Sequence, residues 1–173
     1  MLLLMFPASP QAAHGHLDVP FSCDCRLGSS ATPYHVRVIQ EQQHARVNFS
    51  KVEQPSDQEK IEVQGTLVEF QLIGTDLVLI FDYPGPHTLV FSDDRGQIRR
   101  ELDCSSNSTA LFTWSRAVCF SGKRIDHDGV VSPERAIIYD RLQHPYKPLS
   151  DVPFEMLYPE LAKVSASSVD LRP

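Results

Sequence analysis

The sequence predicts an all-β protein: short antiparallel strands packed as a sandwich or a partly closed barrel, with little helix. Three observations carry that prediction. Several segments alternate apolar and polar residues with the period of two that a half-buried strand imposes. One apolar run, Leu77-Val-Leu-Ile-Phe81, is continuous rather than alternating. Turn-forming residues interrupt these segments at short intervals.

Taken in order, Tyr34–Ile39 places Tyr34, Val36 and Val38 on one face, and Ala45-Arg-Val47-Asn-Phe49 repeats the pattern. Glu53–Glu59 is polar throughout and reads as a connection. Lys60–Val63 and Val68–Leu72 alternate again. Gly74-Thr-Asp76 is a tight-turn signal, so residues 66–82 form a hairpin whose second strand, Leu77–Phe81, is central and buried on both faces. Pro84-Gly85-Pro86 breaks the chain. Thr88–Phe91 and Gln97–Leu102 flank Asp93-Asp94-Arg-Gly96, a second hairpin over 88–102.

Ala110–Trp114 and Ala117–Phe120 read as one long strand, or as two with a bulge near Ser115-Arg116. Asp126-His-Asp-Gly129 is a turn, preferred over a calcium loop because Gly129 comes too early for the ligand spacing. Arg135–Tyr139 is a strand, or a helical turn opened by Ser132-Pro133-Glu134. Prolines 145, 148, 153 and 159 then punctuate the chain, Tyr158–Val164 forms a short helix, and a loose tail starts at Ser165.

A chain of 173 residues with 42% hydrophobic and 22% charged residues suits a single globular domain. The net charge of −6 argues against nucleic acid, whose binders carry a basic stripe. Residues 1–15 pass from a short apolar run into small residues, as in a secretory signal peptide cleaved after Ala13 or Gly15. The run departs from a standard signal in having no Lys or Arg before it, and it is too short to span a bilayer as a helix. The expected organisation is a signal over 1–15 and one all-β domain over 16–173, ending in a proline-rich segment.

The chain has four cysteines: Cys23, Cys25, Cys104 and Cys119. An even number in an exported chain points to disulfides. Bridges such as Cys104–Cys119, or two bridges between the early and the late pair, rank above Cys23–Cys25, which closes a very small ring. The spacings do not fit a zinc framework, and no local pattern joins a cysteine to a histidine base. His14-Gly-His16 reads as a solvated terminus, and no metal or cofactor site is expected. Asn48-Phe-Ser50 and Asn107-Ser-Thr109 match the glycosylation pattern, the first inside a strand that resists a glycan.

Between Cys104 and Cys119 lies a run of small polar residues, Ser105, Ser106, Asn107 and Ser108. Such side chains offer donors and acceptors with little bulk, suited to entering a narrow cleft. A tether between the flanking cysteines reduces the entropy lost on binding. The same composition also describes an ordinary solvent-facing turn.

Two segments, His16-Leu-Asp-Val-Pro-Phe-Ser-Cys-Asp-Cys25 and Asp103-Cys-Ser-Ser-Asn-Ser108, carry a resemblance over most of the mature chain. The chain resembles the periplasmic immunity proteins that protect type VI-secreting bacteria from their own peptidoglycan amidase effectors. That resemblance implies a non-enzymatic inhibitor. Its partner would be a papain-like (NlpC/P60-like) amidase that cleaves stem peptides. Ser105 and Ser106 would enter the toxin's cleft near its Cys–His pair, with Asn107 and Ser108 shaping the loop. Two rivals make different demands: the first is another binding module, a lipocalin-like carrier or an adhesion domain, of which the carrier needs a large apolar cavity, and the second is a hydrolase using Asp82, His87 or His127, which needs titratable groups clustered in a cleft.

Overall fold

The structure, a computed structural model, describes residues 21–82, 85–104 and 108–169, with side chains to Val164. Its strands form three four-stranded antiparallel meanders and one small hairpin. The first sheet holds β1 (Phe21–Cys25), β2 (Tyr34–Glu41), β3 (His44–Lys51) and β4 (Gln54–Gln64) in sequence order. The second holds β5 (Leu67–Ile73), β6 (Asp76–Phe81), β7 (His87–Asp94) and β8 (Gln97–Cys104), also in order. The third runs β14 (Lys147–Pro153), β13 (Arg135–Asp140), β10 (Arg116–Ser121), β9 (Ala110–Phe112). The hairpin β11 (Arg124–Ile125) and β12 (Val131–Ser132) is inserted between β10 and β13. A helix, α1 (Leu157–Val169), follows a short 3-10 turn at Phe154–Met156.

Side-chain parity shows how the layers stack. Leu77, Leu79 and Phe81 of β6, with Leu89 and Phe91 of β7, face the first sheet and meet Val36, Val38, Val47 and Phe49. The intervening Val78 and Val90 turn the other way, onto Ala117 and Cys119 of the third sheet. There the pattern repeats: Val118, Ala136 and Ile138 face away from the second sheet and cover Leu157, Leu161 and Val164 of α1, one apolar stripe at i, i+4 and i+7. The order of layers is therefore sheet, sheet, sheet, helix. The second sheet is buried on both faces, which is why Leu77–Phe81 is continuous in apolar character.

The sandwich has three sheet layers, and among the described residues no barrel closes. Three local expectations are corrected. Glu53–Glu59 is not a connection: β4 starts at Gln54 and pairs Phe49 with Glu59. It is an edge strand with exposed residues over 54–60, so neither its polarity nor Pro55 opposes it. Ala110–Phe120 is not one long strand but two, and what separates them is a turn rather than a bulge: β9 and β10 fold back as a hairpin, with Phe112 opposite Ala117. The prolines at 148 and 153 lie within β14, the other edge of the third sheet. Arg135–Asp140 is a strand, not a helical turn, and Asp126–Gly129 is the turn of the small hairpin, where the Asp126 carboxylate accepts the Asp128 and Val130 N–H groups at 2.9 Å.

One glycine is required by packing. Gly28 sits at φ +54° after β1, where a Cβ would lie 2.0 Å from the Asp93 carbonyl oxygen. Only the absence of a side chain lets this loop press onto the end of β7.

Candidate partner-binding site at the junction of the second and third sheets

The candidate loop joins the second sheet to the third. β8 ends at Cys104, and Cys104 is disulfide-bonded to Cys119 of β10, so the bond staples two layers at the base of the loop. Ser105, Ser106 and Asn107, and with Asn107 the second glycosylation pattern, lie outside the described residues, as does the signal segment 1–15. Ser108 is buried, and the next residue is fixed by the Phe120 N–H donating to the Thr109 carbonyl at 3.1 Å. Cys23 and Cys25 are also disulfide partners, against the expected ranking. They lie two apart on β1, where alternation turns both side chains to the same face with Cα atoms 5.5 Å apart. Two disulfides fit an oxidising environment.

Beyond β9 the chain turns at Thr113-Trp114-Ser115 and is held by two buried arginines. Arg141 donates through Nη1 to the Thr113 carbonyl and through Nη2 to the Ile73 carbonyl and to Asp76 Oδ2, each of the latter at 3.0 Å. Its guanidinium also lies 5.5 Å from the Phe112 ring centroid, and the Arg141 backbone N–H donates to the Ser115 carbonyl. Arg116 donates to the Ser115 and Val164 carbonyls and pairs with Asp140 at 3.3 Å. The Thr113 hydroxyl accepts the Arg116 N–H at 3.1 Å, closing the turn.

Around Arg141 a polar cluster bridges the two sheets. The Tyr146 hydroxyl donates to Asp76 Oδ2, and Arg141 Nε donates to that hydroxyl oxygen at 3.1 Å. Glu101 accepts from His144 Nδ1 through Oε1 and from the Tyr146 N–H through Oε2, both at 3.0 Å. Burial pushes the Glu101 carboxyl above the usual range, more than the His144 and Tyr146 contacts lower it, and the charge of Asp76 adds to the rise. Burial, and then Asp76, also push the Tyr146 hydroxyl up, keeping it a donor. Burial opposes the Arg141 charge, but its bonds to Tyr146 and Asp76 outweigh that cost.

Of the residues a hydrolase would have used, Asp82 and His87 lie at the same end of the β6–β7 pair, Asp82 following the Phe81 that pairs with His87. His87 stacks on Phe81 with Nδ1 bonded to the Gly85 carbonyl, whereas His127 is exposed on the β11–β12 turn beside Asp128. Asp82 is exposed at the end of β6. Among the described residues no group of three or more His, Cys, Asp or Glu is arranged to hold a metal ion. An open cleft of about 460 Å³ lies between the β4 edge and the β7–β8 turn, with Tyr34 and Phe49 beneath and Lys51, Asp57 and Glu59 at its sides. It is polar and open, unlike the enclosed apolar cavity of a carrier. No described helix is long and apolar enough to cross a membrane.

The arginine clamp was not foreseen. Asp76 reads locally as a turn residue, and its partners Arg141 and Tyr146 are 65 and 70 positions away. The one local signal was a turn holding the only tryptophan of the chain. Comparison with protein families, curated proteins and solved structures finds no match for this chain.

Proposed function

We propose that this protein is a periplasmic immunity protein, which blocks the active-site cleft of a papain-like peptidoglycan amidase delivered by type VI secretion. The Cys104–Cys119 disulfide is the observation that supports this reading most directly. It ties Cys104, just before the loop, to β10, and the Thr109 carbonyl just after the loop accepts from Phe120 of the same strand, so the flanks on both sides are fixed before any partner is met. Ordering a free loop of this kind costs about 0.5–1.5 kcal/mol per immobilised side chain, and a loop tethered at its base avoids part of that cost. Small hydroxyl and amide side chains then reach a narrow cleft and bond there, with Ser105 and Ser106 as the residues nearest the toxin's Cys–His pair. The protein itself performs no chemistry in this role. The two disulfides suit an oxidising periplasm.

The test is inhibition. Stem-peptide cleavage by purified type VI amidases of the papain class is measured with and without stoichiometric protein. Unchanged cleavage by every amidase tried ends the proposal. Against an inhibited amidase, Ser105→Arg with Ser106→Glu should weaken inhibition with the thermal midpoint unaltered. Full inhibition by that variant shows that another surface does the blocking.

A further inference from the structure

We propose that the open cleft between the β4 edge and the β7–β8 turn binds a small zwitterion: a free amino acid or a short peptide with both its ammonium and its carboxylate uncapped. This site goes beyond the inhibitory reading and does not depend on it. Gln97, beside the cleft, opens β8, whereas Cys104, at the base of the candidate loop, closes it. The length of that eight-residue strand, about 23 Å, lies between the two.

A break in strand pairing makes the cleft. β3 and β4 pair in step from His44 opposite Gln64 to Ser50 opposite Gln58, but Lys51 pairs with Gln54. Pro55, Ser56 and Asp57 therefore have no counterpart on β3, and a strand with extra residues bends there. Proline suits the bend, because it has no N–H to give to a ladder. Tyr34 and Phe49 close the floor, and Gly96 and Gln97 of the β7–β8 turn stand at the wall. That turn is fixed by the Gly96 N–H donating to Asp93 Oδ1 at 3.2 Å. Lys51 Nζ comes 3.4 Å from where a Cβ on Gly96 would stand, so the ammonium reaches across from the first sheet to the turn.

Charge points to the kind of ligand. Lys51 brings an ammonium to the cleft, and Asp57 and Glu59 bring two carboxylates. Among the described residues neither carboxylate pairs with the half-buried Lys51, although they share its cleft. Glu59 instead accepts the Ile98 N–H through Oε1 at 3.5 Å, which ties β4 to β8. Burial first, then Asp93, and then the Glu59 charge push the Tyr34 hydroxyl up, so the Glu59 carboxylate stands close to the floor. A bare metal ion would be repelled by Lys51, and a simple anion by the two carboxylates. A molecule carrying both charges meets both walls, its carboxylate at Lys51 and its ammonium at Asp57 and Glu59. The Gln58 and Gln97 amides add donors and acceptors between them.

Size agrees. The volume of about 460 Å³ falls in the lower part of the range of about 300–1,000 Å³ typical of small-molecule sites. An amino acid or a dipeptide fits there whole. Charge pairs open to water are individually weak, so the dissociation constant should be on the order of 0.1–1 mM.

Backbone amide resonances of the full chain are followed while the free amino acids and L-alanyl-L-alanine are added, each to about 10 mM, well above that constant. At least one should move the Gln58, Gly96 and Gln97 amides to saturation and leave those of Cys104 and Cys119 in place. The N-acetylated and the C-amidated forms of the best-bound probe should each bind at least about tenfold more weakly, the loss of one charge-assisted contact. Lys51→Gln should weaken the zwitterion by about the same factor and leave the C-amidated form unchanged. Asp57→Asn with Glu59→Gln should weaken the zwitterion and leave the N-acetylated form unchanged, and Glu59→Gln keeps an oxygen for the Ile98 N–H. The capped probes test the same two charges on wild-type protein if a variant does not fold. No saturable shift at these amides with any probe overturns the site, and so does equal binding of the capped and uncapped forms. A saturable shift with calcium chloride and none with the zwitterions assigns the cleft to a metal ion and also overturns it. Amidase inhibition is measured separately, so either proposal can fail while the other stands.

Discussion

The two faces of the second sheet are held by different physics. Towards the first sheet it meets an almost wholly apolar layer, in which Phe49, Phe81 and Phe91 are fully buried and the Phe49 and Phe91 rings lie 5.6 Å apart. The buried polar pair at that interface is the Tyr34 hydroxyl donating to Asp93. Towards the third sheet the apolar layer is thinner, and a disulfide, an arginine clamp and a Glu101–His144 contact are added. Apolar burial is non-directional: it favours contact without choosing one rotation or register of the layers. Hydrogen bonds and a disulfide have directions. The face that must only stay closed is greasy. The face that carries the candidate binding segment is pinned atom by atom.

The largest expected effect tests the greasy side. Phe49→Ala should destabilise by about 4–5 kcal/mol in urea unfolding, from lost transfer energy and the cavity left against Phe91. Amidase inhibition per folded molecule should not change, because the third sheet is untouched. An inhibition loss as large as the stability loss would mean that the two interfaces are not independent.

Next comes the clamp. Arg141→Met should cost about 3–4 kcal/mol by leaving Asp76 buried without its cation. Unlike Phe49→Ala, it should also broaden the fluorine resonance that 5-fluorotryptophan gives at Trp114, the only tryptophan of the chain, since the Thr113 carbonyl loses its donor. Asp76→Asn with Arg141→Met should recover much of the stability, because no unpaired charge is left buried. A sharp, unmoved resonance in Arg141→Met would show that the turn holds itself.

The same contrast explains what could be read from sequence. The greasy side is legible because burial imposes a period: Tyr34, Val36 and Val38 alternate, and Leu77–Phe81 runs on because both its faces are covered. Elements with weak local signals were missed. The polar start of β4 and the prolines of β14 sit on edges, where exposure and missing N–H donors are tolerated. The β9–β10 turn holds no Gly or Pro; its geometry comes from the Thr113 hydroxyl and from Arg141, which is 28 residues away. The clamp joins positions 73, 76, 101, 113, 141, 144 and 146, which no window of sequence contains. The loop itself was visible as a composition between two cysteines, whereas the burial of Ser108 left no local signal.

Removing the staple should have a smaller effect than either core change. Cys104→Ser with Cys119→Ser should cost about 3 kcal/mol, the loop-closure value for a separation of 15 residues. Inhibition should fall further than this stability loss explains, because the loop is then ordered only on binding. Equal inhibition by the folded double variant would show that Ser108 and the Thr109–Phe120 bond suffice to hold it.

The smallest effect is a dependence on pH that belongs to the pinned face alone. The folded Glu101 carboxyl binds its proton more tightly than an ordinary glutamate, chiefly because it is buried. A group raised in this way adds stability that is complete below the ordinary carboxylate value. That stability is lost as the pH rises through the higher folded value. Glu101→Gln removes the titration and keeps an oxygen to accept from Tyr146. The stability of wild type minus that of Glu101→Gln should therefore fall as pH is raised from about 4.5, the ordinary glutamate value, and then level off. Urea midpoints for the pair across pH 4 to 7 provide the measurement. A difference that rises with pH would mean that the His144 and Tyr146 contacts, which favour the charged form, outweigh burial, and that the pinned face gains from its charge instead of tolerating it.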